Sequence, residues 1–397
     1  MLLSLSLIIL CGLALGGIMQ KFRLPALLGM MFTGILLGPY VLNLMDPSIL
    51  SISSDLRQIA LIVILMRAGL ALDLTDLKKV GRPAILMCFL PATFELSAVV
   101  LFAPLLLGVS YLEAAIMGAV LAAVSPAVVV PRMLRLMETG YGRNRSIPQL
   151  IMAGASVDDI YVIILFTSFT GMSQGEGFDW ISLARLPLSI LLGLALGAAA
   201  GLATVWLFRK IHMRDTVKIL LLFGISFLFV TLESAVKSYV PVSGLLAVMA
   251  LGATILKKYA PLARRMSSKY SKIWVAAELM LFVLVGAAVD VGSVLNAGWA
   301  AICLIAAALI FRMAGVFFCL IRSGLNPREK LFTAIAYLPK ATVQAAIGSI
   351  PLSLGMSAGN TILTVAVLAI LITAPLGALG IDFTHKKLLT RMEKTTA

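Results

Sequence analysis

The chain has 397 residues, of which 61% are hydrophobic and only 13% are charged, with a formal net charge of +14. Soluble domains carry about 25% charged residues. The composition therefore excludes a soluble globular protein and predicts an all-α polytopic membrane protein, whose helices satisfy their own backbone groups. The four cysteines and two histidines follow no metal-ligand spacing, so we predict no cofactor, no catalytic residues and no enzyme.

Hydropathy predicts about 13 apolar segments of bilayer length. They lie at roughly 2–20, 25–44, 57–72, 82–108, 112–137, 147–171, 181–209, 216–236, 240–257, 272–290, 297–322, 329–355 and 359–384. We call these segments spans 1 to 13.

The basic residues are distributed unevenly between the loops. Most of the 32 Lys and Arg residues lie in alternate loops and in the C-terminal tail, whereas Arg57, Arg185 and Lys237 lie on the opposite side. The positive-inside rule places the basic loops in the cytoplasm. We therefore expect a multi-pass protein of a plasma membrane or bacterial inner membrane, with its N-terminus outside and its C-terminus inside. The basic charge indicates topology and contact with the lipid bilayer rather than nucleic-acid binding.

The two halves of the chain resemble each other weakly. LMRAGLALD at 65–73 aligns with FVLVGAAVD at 282–290, and SPAVVVP at 125–131 aligns with LPKATVQ at 338–344. The matching spans run in opposite directions, so the repeat is inverted. Inverted repeats with a binding site at their interface are typical of secondary transporters.

This repeat predicts the organisation of a single membrane domain that covers residues 1–397. Residues 1–171, with spans 1 to 6, form the first repeat, and residues 216–384, with spans 8 to 13, form the second. Span 7, at 181–209, is the linker between them.

Prolines interrupt spans 5 and 12 at matching repeat positions. Ser125 and Pro126 lie in the middle of span 5, and Pro339 lies in span 12, followed by Lys340 and Thr342. Proline removes a backbone donor and clashes with the preceding turn, which predicts two discontinuous helices. One kink alone would indicate only local bending. Paired breaks indicate a midplane site where freed carbonyls and helix ends face an ion.

Asp158 and Asp159 are adjacent in the middle of span 6. Ionisable groups at bilayer depth cost at least a few kcal/mol and mark functional sites by default. Consecutive residues of a helix diverge by about 100°, so we expect one aspartate to face an ion cavity. The other would face a basic partner such as Lys340. The negative C-terminal end of a half-helix is the alternative partner for Lys340. A carboxylate in this setting is suited to exchange a proton for a cation.

A second pair of buried charges follows from the repeat. The offset that aligns the two halves places Glu95 of span 4 at the same point as Arg312 of span 11. A two-fold axis in the membrane plane would bring them together near the midplane, so we predict an ion pair. We interpret it as a structural bridge rather than as a direct ion ligand. Removing one partner of such a pair costs about 3–5 kcal/mol.

The motifs AVSPAVVVP, GASVDDI and LPKATVQAAIG resemble the signatures of sodium/proton antiporters in the cation:proton antiporter superfamily. The likeness is closest to the NHA branch and its bacterial relatives, and it extends from about Leu61 to Leu379. It implies that the two discontinuous helices, 5 and 12, cross each other. It also implies a core transport subdomain from helices 4–6 and 11–13, a dimerisation subdomain from the rest, a homodimer and an elevator-like movement of the core.

The resemblance also implies roles for single residues. Asp159 resembles the family's cation- and proton-binding aspartate and Asp158 its neighbour, so Na⁺ would bind at these two residues. Lys340 matches the lysine of the second broken helix, and Glu95 and Arg312 match a buried pair of this branch. Many relatives outside the branch carry a lysine in place of this arginine. Because arginine does not deprotonate in proteins, Arg312 favours electroneutral exchange.

The predicted function is secondary active exchange of Na⁺ (or Li⁺) for H⁺ by alternating access. Residue types do not separate Na⁺ from K⁺, so a K⁺/H⁺ antiporter remains an alternative, as does a sodium-coupled organic-anion symporter of related fold. An intramembrane aspartyl protease would need two aspartates on different helices that share a proton. A channel would need a pore lined by repeated ligands. One compact cluster with adjacent acids favours neither.

Overall fold

The computed structural model describes residues 1–71, 81–173, 180–236 and 242–391, and the regular structure within these ranges is helical. The helices are α1 (Leu2–Lys21), α2 (Ala26–Leu37), α3 (Pro47–Ser51), α4 (Ser53–Ala71), α5 (Arg82–Met87), α6 (Leu90–Leu107), α7 (Tyr111–Leu121), α8 (Pro126–Thr139), α9 (Ile147–Ser173), α10 (Trp180–Lys210), α11 (Asp215–Val236), α12 (Gly244–Lys258), α13 (Ala260–Ala287), α14 (Val291–Cys319), α15 (Pro327–Ala336), α16 (Thr342–Ile347), α17 (Ile350–Ser353) and α18 (Gly359–Leu388).

Nine helical segments of the described residues are long and apolar enough to cross a membrane. They are Leu2–Lys21, Arg82–Leu107, Tyr111–Thr139, Ile147–Ser173, Leu191–Lys210, Asp215–Glu233, Ala260–Ala287, Gly298–Cys319 and Gly359–Leu388. The prediction of an all-α polytopic membrane protein is confirmed, whereas the count of 13 spans stays a prediction. The four other spans are 2, 3, 9 and 12. Spans 2, 9 and 12 coincide with helices that are short or broken, namely α2, α12 and the pair α15 and α16, and span 3 coincides with α4, which carries Asp55, Arg57 and Arg67.

The helices group into two compact units. The first contains α1 to α3, α5 to α8, α9 up to Phe166, α13 from Leu279 onward and α14 to α18. The second contains α4 from Gln58 onward, the rest of α9, α10 to α12 and α13 up to Glu278. The predicted core and dimerisation subdomains are a different division of the chain and stay a prediction.

Glycines allow close packing of helix backbones inside the first unit. A Cβ at Gly286 of α13 would overlap with the backbone of Met31 on α2, and a Cβ at Gly34 would overlap with the backbone of Val283. Small residues at such contacts are the usual means of helix association in membranes, where lipid removes the hydrophobic driving force between helices. These contacts hold α2 against α13.

The first predicted break is present between α7 and α8. Helix α7 begins with a capping box formed by Ser110 and Glu113 and ends at Leu121, and α8 begins at Pro126 with Ser125 as its N-cap residue. Proline is favoured at the first helical position, where its missing N–H has no partner to lose. Residues 122–125 are therefore not helical, and they leave backbone carbonyls of α7 without their helical donors.

The second predicted break is present between α15 and α16. Helix α15 ends at Ala336 and α16 begins at Thr342, so Pro339 and Lys340 lie in the interruption. The two breaks touch each other, because the backbone N–H of Ser125 donates to the carbonyl of Pro339 at 2.8 Å. Irregular backbone at membrane depth is tolerated only where protein or a cavity surrounds it. The contact between the breaks meets that requirement.

Candidate ion-binding site

The two adjacent aspartates lie in the middle of α9. Asp158 is fully buried, and Asp159 is 8% exposed. The Oδ2 atom of Asp158 accepts a hydrogen bond from the backbone N–H of Val124 at 3.0 Å, in the first break. It accepts another from Nη2 of Arg312, also at 3.0 Å. Asp158 therefore satisfies a backbone donor that the broken helix leaves free.

Arg312 of α14 is fully buried and joins four groups. Its Nη1 atom lies 2.6 Å from Oε2 of Glu95 on α6, so the predicted ion pair is present. The same nitrogen donates to the carbonyl of Ala122, and Nε donates to the carbonyl of Tyr337 at 2.7 Å. Nη2 completes the set at Asp158. Only the planar fork of a guanidinium reaches two carboxylates and both helix breaks at once.

Lys340 binds Glu95 and the end of a broken helix, so of its two predicted partners the helix end is confirmed and the aspartate is wrong. Its Nζ atom lies 2.6 Å from Oε1 and 2.8 Å from Oε2 of Glu95. It also donates to the carbonyl of Leu121 at 2.6 Å. That carbonyl is at the negative C-terminal end of α7, which favours a cation. Glu95 and the helix end together bind the ammonium group.

Three further residues complete the contacts between the breaks, and the sequence analysis assigned them no role. Gln344 of α16 donates through Nε2 to the carbonyls of Ala123 at 2.8 Å and Leu121 at 3.2 Å. The backbone N–H of Lys340 donates to Oγ1 of Thr373 on α18 at 3.0 Å. The third residue is Tyr337, whose backbone carbonyl accepts the hydrogen bond from Nε of Arg312. The signal for all three is a polar group inside an apolar span, which costs free energy unless it has a partner.

Asp159 differs from every other charge in this cluster. Glu95, Asp158, Arg312 and Lys340 form a chain of ion pairs with two positive and two negative groups. Among the described residues Asp159 forms no ion pair, and its Oδ1 atom accepts no hydrogen bond. The cluster is therefore neutral apart from one carboxylate.

Two predicted break residues keep free oxygen atoms near the ends of the broken helices. Ser125 and Thr342 are fully buried, and within the described part of the chain Oγ of Ser125 and Oγ1 of Thr342 make no hydrogen bond. In broken membrane helices the unwound backbone carbonyls are the usual ligands of a transported cation, and both hydroxyls lie at the edges of such breaks. No group of three or more His, Cys, Asp or Glu side chains that could hold a resident metal ion occurs in the described ranges.

The chain is similar to a known protein family over almost its whole length. A model of the family described as "Sodium/hydrogen exchanger, transmembrane" matches residues 5–387. Sodium/hydrogen exchanger 9B2 of Homo sapiens is 36% identical over 386 residues, which cover 93% of this chain and 71% of that protein. The mouse protein of the same name is 35% identical, covering 94% and 70%. Human sodium/hydrogen exchanger 9B1 is 32% identical, covering 95% and 76%.

A solved structure has the same fold. The sodium proton antiporter MjNhaP1 from Methanocaldococcus jannaschii, determined at pH 8, superposes with a TM-score of 0.82. The superposition covers 97% of each chain, at 20% sequence identity. At this level of identity the likeness concerns the fold.

Proposed function

The chain belongs to the transmembrane sodium/hydrogen exchanger family, and on that premise we propose that it exchanges Na⁺ (or Li⁺) for H⁺ by competition at Asp159. One observation carries the proposal. In the described residues the four other charges of the cluster pair among themselves, and Asp159 does not. A buried carboxylate without a partner is stabilised by whatever cation neutralises it.

Sharing one carboxylate couples the two ions. A bound proton and a bound Na⁺ each neutralise Asp159, so the arrival of one releases the other. An unneutralised carboxylate would have to cross the low-dielectric interior as a charge, at a cost of at least a few kcal/mol. Only the protonated form and the cation-loaded form therefore change access at a useful rate. The adjacent negative charge of Asp158 strengthens the attraction for either cation.

The charge count favours electroneutral exchange. Arg312 does not deprotonate, and Lys340 is held by Glu95 and by the carbonyl of Leu121. The network around Asp159 therefore keeps its neutral balance through the cycle. One proton and one Na⁺ then carry the same charge in opposite directions, and the net charge moved is zero.

We propose that access to Asp159 alternates through movement of the core subdomain, and that the remaining spans join two copies of the chain as a homodimer. Both breaks, Asp159 and the charge network lie within one compact unit, which supports their moving as one body. The concentration of basic residues in alternate loops supports a cytoplasmic C-terminus and an external N-terminus.

Exchange is tested in proteoliposomes that hold an acidic interior and a pH-sensitive dye. Na⁺, Li⁺ and K⁺ are added separately to vesicles with the wild-type protein. We expect Na⁺ or Li⁺ to dissipate the pH gradient and the Asp159→Asn variant to be silent. The matched control is Asp382→Asn, because Asp382 is a half-buried residue of α18 that pairs with Arg132 at 3.4 Å, outside the network. This variant should keep its exchange.

The other outcomes discriminate between functions. An equal response to K⁺ would favour a K⁺/H⁺ antiporter. No response of the wild-type protein to any cation would contradict exchange, and the sodium-coupled symporter would then be the better explanation.

A further inference from the structure

Tyr337 lies at the end of α15, directly before the second break, and its side chain is fully buried. The guanidinium of Arg312 lies over its ring, 5.6 Å from the centroid. Its backbone carbonyl accepts a hydrogen bond from Nε of the same arginine at 2.7 Å. The ring and the backbone of Tyr337 thus hold Arg312 in place. The phenolic hydroxyl takes part in neither contact.

That hydroxyl has no hydrogen-bond partner among the described residues. A buried hydroxyl without a partner destabilises the folded state. A phenylalanine would keep the ring and the backbone contact without this cost. Buried polar groups without a hydrogen-bond partner are rare in folded proteins, and a functional role is one of the common explanations for them.

The hydroxyl packs against α9 one turn before the aspartate pair. A Cβ at Gly154 would overlap with Oη of Tyr337 and would lie 3.0 Å from Cβ of Met87. Glycine therefore leaves the space that the hydroxyl occupies. Residues four apart lie on the same face of a helix, and helical side chains lean toward the N-terminus. Asp158 is four residues after Gly154, so its side chain lies on the face of α9 that the hydroxyl contacts, and its Cα–Cβ bond is inclined toward that turn.

Asp158 has an unused hydrogen-bond acceptor on this face of α9. Its Oδ2 atom accepts two hydrogen bonds, from Val124 and Arg312. Its Oδ1 atom is buried and accepts none within the described part of the chain. An unused donor and an unused acceptor thus share one face of α9.

We propose that the hydroxyl of Tyr337 is a positioning group for Asp158, to which it donates a hydrogen bond at Oδ1, directly or through one water molecule, during the transport cycle. The bond keeps the carboxylate turned toward Arg312 and fixes the negative charge beside Asp159. This inference rests on the proposed function, because the orientation of Asp158 matters for transport only if Asp159 carries the ion. Gly154 has a role of its own in it, since it leaves room for the hydroxyl.

The first test removes the hydroxyl alone. Tyr337→Phe keeps the ring over Arg312 and the backbone carbonyl, so the charge network remains intact. In proteoliposomes we expect the apparent KM for Na⁺ to rise about 10-fold or more, as for loss of a hydrogen bond to a charged group. The maximal rate should change by less than about 2-fold, and the melting temperature should not fall.

A matched control is available in the second unit. Tyr270 of α13 is also fully buried, and its hydroxyl also has no partner in the described residues. Tyr270→Phe makes the same chemical deletion outside the network, so its KM for Na⁺ should equal that of the wild type.

A second variant tests the contact with α9. Gly154→Ala places a methyl group where the hydroxyl lies, so it should raise the KM for Na⁺ and lower the melting temperature. In the Tyr337→Phe background, Gly154→Ala should lower the melting temperature less than it does in the wild type, because the hydroxyl oxygen that the methyl group would displace is absent. Residues in contact give such non-additive effects.

The possible failures are distinguishable. If the wild type exchanges Na⁺ for H⁺ and Tyr337→Phe has the wild-type KM, the positioning role is wrong and the proposed exchange stands. If the changes in melting temperature caused by Gly154→Ala and Tyr337→Phe simply add, residue 154 and the hydroxyl of Tyr337 are not in contact. The positioning role depends on that contact and would be wrong as well. If the wild type moves no protons in response to Na⁺, the proposed exchange and the positioning role both fall.

Discussion

Arg312 holds Asp158 in a buried ion pair, with Nη2 3.0 Å from Oδ2 and both side chains fully buried. The same guanidinium binds Glu95, and the ammonium of Lys340 binds Glu95 as well. Two positive groups and two negative groups therefore balance. Asp159, next in the chain, is not part of this balance. The two neighbouring aspartates therefore have different electrostatic environments, because Asp158 has an ion-pair partner and Asp159 has none among the described residues.

We expect Asp158→Asn and Asp159→Asn to have opposite profiles. Asp158→Asn leaves a buried arginine with one anion fewer, so the protein should lose stability, by up to about 3–5 kcal/mol, and keep a reduced exchange. Asp159→Asn removes a buried charge without an ion-pair partner in the described residues, so stability should be kept or increased while exchange is lost. Thermal unfolding of the purified variants and the proteoliposome assay check both. Greater destabilisation by Asp159→Asn would contradict the charge pairing.

Glu95 balances two cations, so its neutralisation should be costly. Glu95→Gln leaves Arg312 and Lys340 with too little negative charge around them, and it should destabilise the fold by about 3–5 kcal/mol. The double variant with Lys340→Gln removes one charge of each sign and should recover part of the loss. Thermal unfolding of the two single variants and the double variant measures the coupling. If the losses simply add, Lys340 and Glu95 do not depend on each other.

The contact between the two breaks can be perturbed from α18. A Cβ at Gly377 would overlap with the ring of Pro339, whose carbonyl accepts the N–H of Ser125 at 2.8 Å. Gly377→Ala should therefore lower both the melting temperature and the rate of exchange. The control is Gly298→Ala in α14, where a Cβ meets no atom within 4 Å. It should be neutral, or more stable by up to about 1 kcal/mol because alanine favours helix. Equal effects of the two variants would show that the Pro339 contact is unimportant.

The proposed electroneutral exchange of one Na⁺ for one H⁺ predicts that the membrane potential has no effect on the rate of transport. In proteoliposomes with the membrane potential clamped by valinomycin and K⁺, the rate of Na⁺/H⁺ exchange should be the same at zero and at about −100 mV. A net movement of one charge would be driven by about 2.3 kcal/mol per 100 mV. An exchange rate that follows the clamped potential would exclude one-for-one exchange.

The apparent affinity for Na⁺ should depend on pH in one direction. The proposed mechanism has a proton and Na⁺ compete for Asp159, so raising the pH on the side where Na⁺ binds should lower the KM for Na⁺ until that carboxylate is fully deprotonated. Initial rates at a series of pH values test this. A KM that is independent of pH, or that rises with it, would mean that the two ions use separate sites.

Much of this architecture is predictable from the chain because its causes are local. Prolines in apolar spans predicted both helix breaks, and the repeat placed Glu95 against Arg312. Lys340 binds a helix end, as one of the two alternatives predicted, but its carboxylate partner is Glu95 and not an aspartate. A pattern along one helix carries no information about which carboxylate of another helix lies nearest. The contacts of Gln344 and Tyr337 depend on the same unknown, the rotation and approach of packed helices. The count of 13 spans stays a prediction, because hydropathy along the chain does not show whether an apolar segment forms one continuous helix long enough to cross the membrane.

The most direct test of Asp159 as the shared site is to count the protons released when Na⁺ binds. Calorimetric titration of purified protein with Na⁺, repeated in buffers of different ionisation enthalpy, gives this count. We predict that it approaches one proton per Na⁺ as the pH is lowered, that Asp158→Asn keeps the release, and that Asp159→Asn shows neither binding nor release. Na⁺ binding without proton release at every pH, or unchanged release by Asp159→Asn, would contradict competition at this carboxylate.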